Sequence, residues 1–139
     1  MTGKSFVLDA CALIALLNQE EGSEIIRDLL RRAEHGSVTV RLHAVNLCEV
    51  YYDCLRVSGG IKAEALLKTV EIMPIFVEET IDGRLLREVG RIKASEKLSL
   101  ADAFAVGLAI TSKARLLTSD HHELEPLQKK GIVKIEWFR

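Results

Sequence analysis

Five short runs rich in apolar, β-branched and aromatic residues recur along this chain, and longer stretches with helical periodicity separate them. Strands connected by helices pair in parallel, and a parallel sheet needs helices over both of its faces. No linker or repeat interrupts the chain of 139 residues, which is long enough to bury one core. The sequence therefore predicts a single α/β domain over residues 1–139, with a parallel sheet of about five strands flanked by helices on both faces. The predicted strands are FVL (6–8), VTV (38–40), PIFV (74–77), RLLT (115–118) and VKIEWF (133–138).

Capping and helix-breaking residues set the expected bounds of the helices. Ser23 is the expected N-cap of the second helix, and Gly36 is its expected stop. The third helix should end at Gly59, and the fourth should stop before Pro74.

Composition excludes several classes of protein. The longest clean apolar run, ALIALL at 12–17, is too short to cross a bilayer, and no signal-peptide pattern is present. The three cysteines follow no metal-ligand spacing, which indicates reduced thiols. We therefore expect a cytoplasmic protein with no membrane partner. A net charge of −1 gives no overall attraction to nucleic acid, so such a partner would need a local basic patch.

One carboxylate stands in unusually apolar surroundings. Asp102 lies inside SLADAFAVGLA (99–109), and the nearest basic residues in sequence are Lys97 and Lys113. An ionised carboxylate on such a helix is costly to bury unless another group pairs with it. The partner of Asp102 must come from elsewhere in the fold.

Three other acids are expected close to Asp102. Asp9 follows the first predicted strand directly, Asp120 follows the fourth within two residues, and Glu49 lies early in the helix after the second. Open parallel sheets bind ligands beyond the carboxyl ends of their strands, where the strand order reverses. If the first and fourth strands are neighbours at that point, the four acids can converge on one rim.

Taken singly, each acid also has a simpler interpretation at a helix end. Asp9 and Asp120 can cap the helices that follow them, and the other two acids have a candidate cap, Asn46 or Ser99, three positions earlier. Taken together, this interpretation leaves two acids inside apolar stretches without a compensating cation.

A divalent cation would resolve the repulsion among these acids. Carboxylates at close quarters raise one another's pKa, and Mg²⁺ is commonly bound by one or two carboxylates with waters and substrate phosphates. An acid-only cluster on an open rim suits phosphodiester chemistry, in which metal ions stabilise the attacking and leaving oxygens. We therefore expect Asp102 to pair with a metal.

Four segments together resemble those of the PIN-domain nucleases, and most closely the VapC-type toxins of prokaryotic toxin–antitoxin pairs. The segments are FVLDACALIALLNQEEG, AVNLCEVYYD, LSLADAFAVGLA and LLTSDHHEL, in the right order and spacing over essentially the whole chain. The resemblance implies a PIN-like fold and a metal-dependent endoribonuclease in which a bound water attacks the RNA phosphodiester. It implies that Asp9, Glu49, Asp102 and Asp120 are the catalytic acids that hold Mg²⁺ or Mn²⁺, with Thr118 as a supporting hydroxyl.

The chain departs from the family pattern in two places. Cys11 stands where many relatives have serine or asparagine, which removes a hydroxyl from beside the first acid. His121 and His122 follow the fourth acid, where relatives often have an aromatic residue. We expect these histidines to lie in a solvated loop rather than to act as ligands or bases.

Basic residues that could hold RNA are found on one predicted helix. Arg84, Arg87 and Arg91 share a helix face and are the candidate RNA-binding residues, although a solvated amphipathic face explains them as well. The arginine-bearing helix at 24–32 is a rival. The resemblance further implies a homodimer and a cognate antitoxin that covers the acidic rim.

Three other functions compete with a toxin nuclease. A receiver-like signalling domain needs a paired acid after the first strand and an aspartate after the third, whereas Asp9 is single and the third strand runs into Glu78 and Glu79. A non-catalytic RNA- or protein-binding module conflicts with the complete set of four acids. A PIN-type nuclease that processes RNA without a toxin role stays open.

Overall fold

All five predicted strand runs form strands in the computed structural model, which describes residues 4–139. Every neighbouring pair is parallel, and the order across the sheet is third, second, first, fourth, fifth. The predicted parallel α/β domain is therefore confirmed over the described range; the first three residues of the predicted domain lie outside it. The strands are β1 (Lys4–Leu8), β2 (Val38–His43), β3 (Phe76–Glu78), β4 (Arg115–Thr118) and β5 (Ile135–Trp137).

Seven helices in residues 4–139 cover both faces of this sheet. Alternation along β1 separates the faces: Phe6 and Leu8 belong to one apolar cluster, and Val7 belongs to the other. The first four helices contribute apolar residues mainly to the Phe6 side, and the last three to the Val7 side. The helices are α1 (Ala10–Leu17), α2 (Ser23–Glu34), α3 (Ala44–Ser58), α4 (Gly60–Glu71), α5 (Gly83–Ser95), α6 (Leu100–Thr111) and α7 (His121–Lys129).

The expected cap of α2 is wrong by one residue. Gly22 is the N-cap, with φ of 86°, while Ser23 is the first helical residue and its hydroxyl accepts a hydrogen bond from Arg27. A Cβ at position 22 would stand 2.2 Å from the carbonyl oxygen of Phe138. Only glycine satisfies both the left-handed backbone and this close approach, so a long-range contact decides the cap.

The predicted ends of α2, α3 and α4 agree with the structure. Gly36, with φ of 82°, follows the last turn of α2, and Gly59, with φ of 88°, ends α3. α4 ends at Glu71, before Pro74. Strand bounds differ more, because β2 continues to His43 and β3 begins only at Phe76.

The order of strands reverses between β1 and β4, which are neighbours as expected. Leu8 lies in register with Leu42 of β2 on one side and with Leu117 of β4 on the other. Asp9 and Thr118 follow this row directly, at the carboxyl edge of the sheet. This is the position at which an open parallel sheet forms its binding crevice.

In the described part of the chain, no helix combines the length and the apolar character needed to cross a bilayer.

Candidate active site

Asp9 is almost completely buried at the carboxyl end of β1, and three donors hold its carboxylate. The backbone N–H of Ala12 donates to Oδ1 at 2.9 Å, so Asp9 caps α1, and the Thr118 hydroxyl donates to Oδ2 at 2.5 Å. The thiol of Cys11 also donates to Oδ1, at 3.0 Å. Burial nevertheless raises the pKa of Asp9 above its ordinary value, against these donors, and the charge of Asp120 adds to the increase.

Cys11 occupies the place where the family pattern led us to expect a hydroxyl. Its sulfur lies 3.5 Å from the Thr118 hydroxyl and 3.6 Å from the Ser119 hydroxyl, in addition to its contact with Asp9. Burial, with the neighbouring charge of Asp9, raises the pKa of Cys11 to about 12, so the group is a neutral thiol that donates. A weak S–H donor therefore replaces the hydroxyl, and the contact with Asp9 is kept.

Asp120 is tied to Asp9 through Thr118. The Asp120 N–H donates to the Thr118 hydroxyl oxygen at 3.1 Å, and that hydroxyl in turn donates to Asp9. Oδ1 of Asp120 accepts from the N–H of Glu123 at 3.1 Å and caps α7. Thr118, predicted as a supporting residue, is fully buried, and its hydroxyl links the two acids by hydrogen bonds.

Asp102 and Glu49 complete a carboxylate rim, by which we mean Asp9, Glu49, Asp102 and Asp120. Burial raises the pKa of Asp102 to about 6, and the charges of the other three acids contribute. Burial also raises the pKa of Glu49, and the charge of Asp9 adds to it. The four predicted acids therefore lie near enough to feel one another's charge.

No cation neutralises this rim within residues 4–139, since none of its four acids takes part in an ion pair. Arg139 comes near, because its guanidinium donates to the Ser119 hydroxyl at 3.2 Å. That guanidinium is paired with Glu20 at 3.2 Å and compensates that carboxylate instead.

Asn46 is a buried polar residue beside the rim for which the sequence suggested only a candidate helix cap. The cap of α3 is His43, whose Nδ1 accepts from the N–H of Val45 at 3.1 Å. Asn46 is fully buried inside α3, and its Nδ2 donates to the carbonyl oxygen of Ala101 at 3.0 Å, directly before Asp102. Residues three apart share a helix face, so the amide three positions before Glu49 was the signal in the sequence that Asn46 lies beside that acid.

Two buried oxygens point to a ligand at the rim. Asn46 Oδ1 and Glu49 Oε1 are inaccessible to solvent and have no hydrogen-bond partner. Buried acceptors of this kind are rare in native proteins and call for a donor or a cation. The Asn46 amide also lies against the Glu49 carboxylate and partly offsets the burial that raises its pKa.

The rim fits a hydrated divalent cation better than an ion enclosed by protein. Within residues 4–139, no three His, Cys, Asp or Glu side chains are close enough to hold an ion together. Several rim oxygens already accept hydrogen bonds from the protein. Mg²⁺ keeps several waters and takes only one or two carboxylates, so hard oxygen ligands at this spacing suit it.

The three predicted arginines make no ion pair with the rim acids within residues 4–139. Arg84 lines a cleft with residues at the carboxyl-terminal end of α6, whereas Asp102 lies at its amino-terminal end. Arg87 donates to the carbonyl of its own helix at Gly83, and Arg91 pairs with Glu88. The side chains of all three arginines stay exposed.

The two histidines begin α7, so the expected loop is wrong, although both are exposed. The ring of His121 stacks on Trp137 at 3.9 Å between centroids, and its Nε2 bonds to the carbonyl oxygen of Arg139. These contacts give His121 a packing role.

Comparisons with known proteins agree with the fold and the order of the motifs. The family model described as the PIN domain matches residues 6–127. No curated protein sequence matches the chain significantly. Solved structures share the fold over nearly their full length.

Three of these structures come from different organisms. One is VapBC2 from Rickettsia felis bound to a DNA fragment from its promoter. It is 12% identical in sequence, the match covers 96% of this chain and 98% of that chain, and the TM-score is 0.74. Another is a toxin–antitoxin complex from Klebsiella pneumoniae. It is 14% identical, the match covers 85% of this chain and 88% of that chain, and the TM-score is 0.63. A third is VapC20 from Mycobacterium tuberculosis, a toxin that cleaves the sarcin–ricin loop. It is 14% identical, the match covers 87% of this chain and 94% of that chain, and the TM-score is 0.65.

The raised pKa of Asp102 predicts an unusual pH dependence of stability. Its pKa rises from 3.8 to about 6, so the folded protein binds more protons than the unfolded chain between these values. Without metal, the free energy of unfolding should therefore fall as pH rises from about 4 to above 6. Asp102→Asn should flatten this fall by about 1 kcal/mol, allowing for solvent that reaches the group.

Thermal and denaturant unfolding across this pH range, in chelator, would measure the effect. Asp28→Asn, an exposed carboxylate on α2, is the matched control and should follow the wild-type pH profile. A profile for Asp102→Asn that runs parallel to wild type at every pH would contradict the raised pKa of Asp102.

The hydrogen bond of Asn46 should contribute strongly to stability. Asn46→Ala removes the hydrogen bond that joins α3 to the Ala101 carbonyl of α6 and leaves a cavity at a fully buried position, which should lower the free energy of unfolding by about 1–3 kcal/mol. Thr69→Ala removes an exposed side-chain bond to the carbonyl of Ala65 and should change it by less than about 0.5 kcal/mol. Equal losses in urea titrations would show that the contact between α3 and α6 carries no particular weight.

Proposed function

The chain belongs to the PIN domain family, and we propose that it is a metal-dependent endoribonuclease that acts as the toxin of a toxin–antitoxin pair. The observation that carries this proposal is the carboxylate rim at the carboxyl edge of the sheet. Burial is the main cause of the raised pKa of Asp9, Glu49 and Asp102, neighbouring acids add to it, and no cation of the described chain pairs with the rim. Such a rim favours a divalent cation and the phosphate groups of a substrate.

In this proposal Asp9, Glu49, Asp102 and Asp120 would bind a hydrated Mg²⁺ or Mn²⁺ ion, one or two of them directly and the others through its waters. The ion would supply a water of lowered pKa and charge stabilisation for the phosphodiester. Thr118 fixes the orientation of Asp9 through its hydroxyl and that of Asp120 through its hydroxyl oxygen. Asn46 holds the start of α6 against α3, which sets Asp102 and Glu49 at a fixed separation.

The toxin role rests on the structural neighbours and is proposed by analogy with them. They include a toxin–antitoxin complex and a toxin that cleaves the sarcin–ricin loop of RNA, and the match covers most of both chains. We therefore propose an RNA substrate and a cognate antitoxin that covers the carboxylate rim. A homodimer in the cytoplasm completes the proposal, and the three free cysteines accord with a reducing compartment. Arg84, Arg87 and Arg91 remain the candidate RNA contacts from the sequence.

Cleavage of RNA should depend on metal and on the rim. Purified protein should cut RNA in Mg²⁺ or Mn²⁺ and stop in excess chelator. Asp102→Asn should lower the rate by about two orders of magnitude or more, because it removes one charge from the ion-binding set. Asp28→Asn should cleave as wild type does. Gel assays with purified RNA decide this, and full activity in chelator would rule out a metal-dependent nuclease.

Expression in cells separates a toxin from a processing enzyme. The protein expressed alone should slow growth, Asp102→Asn should relieve this, and a small protein encoded beside it should restore growth when co-expressed. Growth curves with matched protein levels by immunoblot give the readout. Normal growth together with RNA cleavage in vitro would favour an RNA-processing nuclease without a toxin role.

A further inference from the structure

A second candidate binding site lies at the opposite edge of the sheet from the carboxylate rim. This basic cleft, of about 540 Å³, is lined by four cationic side chains, Lys4, Lys113, Arg115 and Lys134, and by no carboxylate of the described residues. Its volume falls within the range of roughly 300–1,000 Å³ usual for small-ligand sites. Lys4 begins β1 and Asp9 follows its end, so the cleft lies roughly 15 Å from the rim along the strand.

The cleft carries more positive charge than the helix ends and carboxylates around it compensate. The carboxyl ends of α6 and α7 both reach this cleft, and each supplies about half a negative charge. Arg115 is set against Glu136 at 3.8 Å, and Lys4 also borders a second cleft that contains carboxylates. Lys113 and Lys134 take part in no ion pair within residues 4–139, and their two charges outweigh the two helix ends.

The floor of the cleft is apolar. Ile110 and Ile132 line it and are only partly buried, so each keeps exposed hydrocarbon inside the cleft. Cations at the mouth and an apolar floor together suit a ligand with an anionic group and a flat apolar face. A nucleotide has both, because its phosphate can meet the lysines while its base packs on the isoleucines.

We propose that the basic cleft binds a nucleotide unit, phosphate and base together, at a distance from the carboxylate rim. The proposal rests on the proposed function in one respect, which is that RNA is the polymer that the rim acts upon. A net charge of −1 and a rim of four acids offer RNA no attraction, so its affinity must come from a local patch. The basic cleft supplies such a patch, and a free nucleotide has the same chemistry.

Binding measured without cleavage tests this assignment. The Asp102→Asn protein in chelator would be titrated with a fluorescent, unstructured oligoribonucleotide at several salt concentrations. Adding Lys113→Gln and Lys134→Gln should weaken binding roughly tenfold at physiological salt and reduce the salt slope by about 1.4, the value for two phosphate contacts on a single strand. Lys62→Gln with Lys68→Gln, two exposed lysines of α4, is the matched control and should change neither.

A competition arm identifies the source of the nucleotide. If RNA binding depends on the two lysines and 5′-AMP does not compete, the cleft holds a distal part of the RNA. If 5′-AMP binds wild type but not the double lysine variant, and RNA affinity is equal in both, the cleft takes a free nucleotide. An unchanged salt slope with no 5′-AMP binding would overturn the proposal, and so would polyglutamate that competes as well as RNA.

The two proposals fail in different ways. If RNA binding depends on the two lysines but the RNA is never cleaved, the proposed nuclease function is wrong and the proposed nucleotide site stands. If RNA is cleaved in a metal-dependent way but its binding does not depend on the lysines, the nucleotide site is wrong and the nuclease function stands.

Discussion

The enclosure of the Asp9 carboxylate is the constraint on which the rest of the site depends. A carboxylate with almost no exposure is tolerated only where donors surround it, and here they come from α1, from Cys11 and from the end of β4. The Thr118 hydroxyl has the largest structural consequence, because it joins the end of β4 to Asp9, a residue 109 positions earlier in the sequence. It also accepts from Asp120, so the orientation of the fourth acid is linked to that of the first.

Hydrogen bonding at Asp9 does not remove the electrostatic cost of the rim. The pKa of Asp9, Glu49 and Asp102 is raised in each case chiefly by burial, and the neighbouring acids add to it. The rim is therefore held in place by packing and by bonds such as that from Asn46, while its charge stays uncompensated by the described chain. A cation would relieve this repulsion, which supports the proposed role of the rim in binding a metal ion and phosphate.

Strand and helix patterns predicted the sheet, its parallel pairing and the convergence of the four acids, because those features follow from local periodicity and from the geometry of parallel sheets. Residues whose role depends on distant contacts were missed. Gly22 caps α2 because of Phe138, and Asn46 acts through Ala101, a partner 55 residues away. The arginines of α5 share a face as predicted, but the antiparallel packing that places Arg84 beside the far end of α6 is not encoded in their spacing.

A position at a helix end, which the sequence left open for each acid, does not exclude the proposed role of the acid as a metal ligand. Helix amino ends meet at the carboxyl edge of a parallel sheet, and each carries partial positive charge. Asp9 and Asp120 use one oxygen to cap α1 and α7, and Asp102 lies in the first turn of α6, capped by Ser99. The same helix ends therefore stabilise the anions; capping uses only Oδ1 of Asp120, whereas both oxygens of Asp9 accept hydrogen bonds from the described chain. At the opposite edge α6 and α7 end, and the lysines there lie near the negative ends of these dipoles, so the polarity of the sheet separates an acidic end from a basic one.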